Sequence, residues 1–82
     1  MPRVLEVDGF RVYVRLPPRE HGPPHVHVER AEGRVTIELP SPAGSPVLRL
    51  VAGMSSRDIV RAFRIVEANA DLLMREWRKY HG

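Results

Sequence analysis

The chain of 82 residues contains no cysteine, which excludes disulfides and thiolate metal sites and suits a reducing compartment. Long apolar runs are missing as well. Nowhere do about 18 apolar residues follow one another, as a membrane-spanning helix requires. Met1 to Asp8 lack the run of roughly 7 to 15 apolar residues that marks a secretory signal. The expectation is a cytoplasmic protein with no membrane partner. There is no repeat of solenoid length and no low-complexity tract. A glycine-rich phosphate loop is absent, and so is a serine elbow with histidine and aspartate partners. Lysine is nearly absent too: of 13 cationic residues all but Lys79 are arginine. Genomic base composition produces such a bias, and so does a surface that grips phosphate or carboxylate, because a guanidinium offers a planar fork where an ammonium offers a point charge. The formal net charge of +3 is moderately basic and by itself no nucleic-acid signature.

What remains is an ordinary globular composition, 43% hydrophobic and 28% charged. It is long enough for one modest core and too short for a second, substrate-binding domain. We expect one domain over residues 1–82, with an antiparallel sheet over 1–52 and a C-terminal helix over 54–81. Val4 to Val7 and Phe10 to Leu16 flank Asp8-Gly9, the dipeptide favoured in two-residue hairpin turns because both central positions need positive φ. In the second arm Phe10, Val12, Val14 and Leu16 share one face while Arg11, Tyr13 and Arg15 share the other, the alternation of a half-buried strand. Pro17, Pro18, Pro23 and Pro24 bracket Arg19-Glu20-His21-Gly22, a loop with little freedom to lose on ordering that would hold His21 in one place.

Alternation resumes from His25 to Arg30, with Val26 and Val28 inward and His25, His27 and Glu29 outward. Glu32-Gly33 then turns the chain into Val35 to Leu39, with Val35, Ile37 and Leu39 inward. The segment from Pro40 to Pro46 reads as loop, and Val47 to Val51 as a short apolar strand or extended edge segment.

From Met54 the period becomes helical. Ile59, Phe63, Val66, Ala70, Leu73, Trp77 and Tyr80 form one stripe spaced by fours and threes. Ser55 and Asp58 make the capping pattern, Met54 and Ile59 stand where a hydrophobic staple belongs, and Arg75, Arg78 and Lys79 occupy the last turns, where cations complement the helix dipole. At about 1.5 Å per residue some 25 residues would extend roughly 38 Å, longer than a globule of this size is wide. The helix therefore bends near Asn69, overhangs, or packs against a partner. The expected fold class is α+β: four or five short antiparallel strands, two hairpins plus an edge strand, packed on one face by a long C-terminal helix. The other face collects Arg11, Tyr13, Arg15, His25, His27, Glu29, Arg34, Thr36 and Glu38.

Chemistry concentrates on His21, His25 and His27, three of the chain's four histidines, because imidazole, with an ordinary pKa near about 6.5, gives or takes a proton near neutrality. His25 and His27 at i and i+2 on a strand project from one face with roots roughly 6.5 to 7 Å apart. One use of that spacing is acid–base work: one imidazole removes a proton from a nucleophile such as a ribose 2′-hydroxyl, and a protonated one donates to the leaving oxygen. Arg11, Tyr13 and Arg15 would hold and stabilise the phosphate. A second use is metal binding, with His21 as a third nitrogen and Glu29 or water as a fourth ligand of an open, zinc-like site. The third reading is structural, with the imidazoles hydrogen-bonded to carbonyls and to Glu29 or Glu38. Spacing alone does not separate them, and no cofactor is called for. Trp77 reads as core with an indole N–H in need of a partner. His81, beside the terminal glycine, reads as frayed unless it docks on the His25 and His27 face.

The order and spacing of Met1-Pro2, Gly9-Phe10-Arg11, Glu20-His21-x-Pro23-Pro24-His25-Val26-His27-Val28-Glu29 and Trp77-x-x-Tyr80-His81-Gly82 resemble a family of small bacterial and archaeal proteins, the domain of unknown function family 4160. The similarity covers almost the whole chain. The matching motif positions are His21, Pro23, Pro24, His25, His27 and Trp77, and the sequence departs from the family in its Pro/Ser/Gly loop over 40–46. The resemblance implies a short intracellular protein encoded beside another small protein, an arrangement guessed to be one half of a toxin–antitoxin pair. The combined expectation is a small toxin–antitoxin-like component acting on or around RNA, with His25, His27 and His21 as catalytic residues and Arg11, Tyr13 and Arg15 as substrate-binding ones. The alternative is a non-catalytic interaction module, or a metal-binding domain through the three histidines. Its partners would be the neighbour-encoded protein, RNA, or a second copy held through the C-terminal helix or a sheet edge.

Overall fold

Asp8 and Gly9 both adopt positive φ, 50° and 81°, the pair of left-handed residues that a tight hairpin turn requires. They join β1 (Arg3–Val7) to β2 (Phe10–Tyr13). The computed structural model describes residues 3–14, 23–40 and 44–81. The expectations for Arg15, Leu16, the proline-bracketed His21 and residues 41–43 lie outside that range. Beyond the first hairpin come β3 (His25–Arg30), β4 (Gly33–Glu38) and β5 (Val47–Ala52). The five strands form one antiparallel sheet in sequence order.

The second hairpin turns one residue earlier than the sequence suggests. Arg30 pairs with Gly33, so Ala31-Glu32 is the turn, and Ala31 accepts a φ of 52°. Gly33 serves a different purpose. A Cβ on it would lie 2.7 Å from the Gly53 carbonyl oxygen and 3.0 Å from the Met54 Cα, so glycine lets the connection after β5 lie directly on β4.

Alternation along the strands sends one set of side chains into a single core. Phe10, Val12, Val14, Val26, Val28, Val35, Ile37 and Leu39 from the sheet side meet Met54, Ala62, Val66, Leu73 and Trp77 from the helical side. Register aligns Leu5, Val12, Val28, Val35 and Val51 in one row across the sheet, and burial fades toward both ends of that row.

The C-terminal segment is two helices rather than one: α1 (Ser56–Ala68) and α2 (Ala70–His81). Ser55 caps α1, its hydroxyl accepting from the Asp58 N–H at 3.2 Å. Asn69 breaks the run. Its backbone leaves helical geometry (φ −119°, ψ 20°) and its N–H is shared between the Ile65 and Val66 carbonyls at 3.2 Å each, while its side-chain amide donates to the Ile65 carbonyl at 2.8 Å. The side chain competes for backbone partners and so ends the helix. The longest dimension of the molecule is 33 Å, shorter than an unbroken helix of this length, so the bend is the outcome among the three geometries open to the sequence. In α1 Ala62 and Val66 are buried, with Ile59 and Ile65 partly buried against the core, and Phe63, counted as core from its spacing, is only half-buried. Asp58 accepts from Arg30 at 2.9 Å and from Arg61 at 3.5 Å. Both guanidiniums stand over the buried Phe10 ring, at 5.1 and 5.2 Å, which ties β3 and α1 together over the first hairpin.

Candidate functional site

The cross-strand register sorts the polar side chains of the opposite face into three rows. Glu6, Arg11, Glu29, Arg34 and Ala52 form the first, alternating in charge; Tyr13, His27, Thr36 and Leu50 form the second; His25, Glu38 and Val47 form the third. This is the face anticipated from the period-two pattern. Residues opposite one another on antiparallel strands are close enough to interact, and the contacts follow the rows. The Arg11 guanidinium lies 4.0 Å from the Glu29 carboxylate, the Thr36 hydroxyl lies 3.3 Å from the His27 Nδ1, and Arg49 reaches from β5 to Glu38 in an ion pair.

His25 and His27 converge. Their ring centroids are 5.2 Å apart and meet edge to face at 78°. The His25 Nδ1 is 2.9 Å from the Pro23 carbonyl oxygen. A carbonyl only accepts, so Nδ1 carries the proton, and the neutral ring keeps its basic lone pair on Nε2. The Pro23-Pro24 segment thereby sets the tautomer of the strand's first histidine. Tyr13 stands opposite His27 in register, and Arg11 occupies the neighbouring row. Arg15 and His21 lie outside the described residues. Among the described residues no group of three or more His, Asp or Glu side chains is arranged to hold a metal ion; the metal reading had relied on His21.

Two residues outside the strand motif join the cluster. Trp77, buried in the core from α2, brings its ring to 5.1 Å from that of His25 at a tilt of 51°. His81, one helical turn further on, stacks on Trp77 at 3.6 Å and 10°. The aromatic row therefore runs His27, His25, Trp77, His81, and it joins the centre of the sheet to the end of the chain. The signal for it was present in the sequence as the i, i+4 spacing of Trp77 and His81, which sets them on one helix face. That the face meets β3 depended on the bend at Asn69. Such an arrangement can hold two imidazoles rigidly in one orientation, accept or donate a proton at Nε2 of His25, and offer guanidinium and phenol groups to an anion beside them.

Residues 9–78 match a family described as Domain of unknown function (DUF4160). Neither a curated protein nor a solved structure matches the chain.

Proposed function

The chain belongs to the DUF4160 family, and from its own residues we propose that the open face of its sheet contacts RNA, with His25 and His27 as an acid–base pair. Arg11, Tyr13 and Arg34 would hold the polymer beside them, and Arg15 stands two residues after Tyr13 in the sequence. The observation that carries this reading is the convergence of the two imidazoles to 5.2 Å on a face that also bears guanidiniums and a phenol. In the reaction class this suits, one neutral imidazole takes the proton of a ribose 2′-hydroxyl as that oxygen attacks the adjacent phosphorus. The other, protonated, gives its proton to the departing 5′-oxygen, leaving a 2′,3′-cyclic phosphate and a 5′-hydroxyl. The setting we propose is a cytoplasmic two-component module of the toxin–antitoxin kind, which the resemblance to a family encoded beside another small protein suggests.

The test is end-labelled single-stranded RNA incubated with the wild-type protein and with a His25→Ala/His27→Ala variant, read on a denaturing gel and by fluorescence anisotropy. Cleavage by the wild type that disappears in the variant supports the reaction. Equal absence of cleavage in both removes it, and anisotropy unchanged by Arg11→Ala/Arg34→Ala removes RNA contact at this face altogether.

One specific observation favours a second reading, that of a non-catalytic interaction module. Val47, Leu48, Leu50 and Val51 of β5 are 46%, 42%, 70% and 45% exposed, a concentration of apolar surface on a sheet edge of the kind a partner would cover.

A further inference from the structure

All six residues of β5 are exposed, and among the described residues the strand has β4 on one side and no strand on the other. We propose that the occupant of this edge is a second copy of the same chain, paired antiparallel through β5 so that two five-stranded sheets become one. The proposal rests on the interaction reading and not on RNA contact.

The argument begins with an irregularity. Register shifts between Thr36 and Ile37, so that Thr36 pairs with Leu50 but Ile37 pairs with Leu48 and leaves Arg49 as the extra residue. In a regular strand residues three apart fall on opposite faces. Here the bulge puts Leu48, opposite Ile37, and Val51, opposite Val35, on the same core-side face. Val47, Leu50 and Ala52, opposite Glu38, Thr36 and Arg34, share the open face. Residues directly opposite in an antiparallel pair must also share a face. A copy that sets Leu48 against Val51 of the second chain, and Val47 against its Ala52, meets that condition at every one of these contacts. A register centred on Arg49 sets core-side Leu48 against open-face Leu50, and one centred on Leu50 sets Leu48 against Ala52, so both fail. Registers centred on Leu48 or on Val51 keep the faces but pair only one side of the bulge, so the register that sets Leu48 against Val51 is the one that pairs the whole strand with itself. A regular foreign strand would meet two residues where it offers one, which is how bulges discourage promiscuous edge pairing.

In that register the open-face row His25, Glu38, Val47 continues into Ala52, Arg34 and Glu29 of the second copy. The seam itself brings Val47 beside Ala52, and the two-fold axis repeats the contact. The apolar contacts double in the same way, Leu48 on Val51 and Val51 on Leu48, as an isologous interface requires.

Sedimentation equilibrium of the full chain from micromolar to millimolar concentration tests this. We expect a monomer–dimer equilibrium, and Leu50→Lys, which sets a lysine opposite Arg49 of the second copy, should raise the dissociation constant about tenfold or more while the circular dichroism spectrum is unchanged. The register is read separately. Because the protein has no cysteine, a Val47→Cys/Ala52→Cys variant should form a disulfide-linked dimer on mild oxidation. Val47→Cys alone should not, since its two copies would lie about 16 Å apart along the strands. A protein that stays monomeric at millimolar concentration overturns the proposal, and so does a dimer that survives Leu50→Lys and fails to cross-link in the double variant. Neither result bears on RNA contact, which anisotropy measures independently.

Discussion

Strands β3 and β5 are each six residues long, and by composition alone β5, not β3, would be the buried one. β3 reads His-Val-His-Val-Glu-Arg, two-thirds polar, yet its valines are fully buried and its polar residues half-buried. β5 reads Val-Leu-Arg-Leu-Val-Ala and is exposed from end to end. The difference lies in position. β3 has strands on both sides and helices across one face, whereas β5 is last in the strand order and stands at the edge of that cover. Apolar side chains at an edge report on what the strand can still bind, and polar ones at the centre report on what the sheet presents to solvent.

The comparison breaks most visibly if the same charge is placed on both strands. Val28→Asp should abolish the folded state, because a carboxylate would be buried without a partner. Leu50→Asp should leave the far-ultraviolet circular dichroism spectrum and the urea midpoint of the monomer nearly unchanged. If both variants fold, β3 is not the structural centre of the sheet. Next in size is Trp77→Ala, which should cost about 3 to 5 kcal/mol in urea unfolding and shift the ring-proton resonances of both His25 and His81. A shift confined to His81 would show that Trp77 does not support the strand histidine.

Gly33→Ala probes how β5 is held, because the added methyl would strike the backbone of Gly53 and Met54. We expect a loss of about 1 to 3 kcal/mol, and an unchanged midpoint would mean that the connection after β5 lies away from β4. Removing the helix cap with Ser55→Ala should cost about 1 kcal/mol, read from the same unfolding curves. The smallest effect belongs to the exposed strand: Leu50→Ala should alter monomer stability by no more than about 0.5 kcal/mol while weakening any self-association.

Much of this architecture was legible beforehand, for identifiable reasons. Asp8-Gly9 announced a turn because few dipeptides tolerate two positive φ angles, and Ser55 with Asp58 announced a helix start because a cap is a local hydrogen bond. The alternation of valine with histidine assigned the faces of β3. Local chemistry misled where a neighbour had the deciding role. Glu32-Gly33 looked like a turn, but the glycine is there for the backbone of Gly53 and Met54. Phe63 fitted the apolar stripe, but the small Ala62 is the residue buried with the core. The continuous helical stripe left a bend near Asn69 as one of three outcomes, because the side-chain hydrogen bond by which Asn69 ends α1 is one that periodicity does not register.

The sequence by itself determined the α+β class, four or five extended segments, the helix start at Ser55, the common face of His25 and His27 and that of Arg11 and Tyr13, because each follows from spacing between near neighbours in the chain. Only the tertiary structure decided that Trp77 packs on His25 and His81, that every residue of the edge strand β5 is exposed, and that a bulge at Arg49 turns Leu48 and Val51 to the same side. Those features depend on strand order, on the bend at Asn69 and on pairing register. They are relations between distant segments, and no local propensity encodes them.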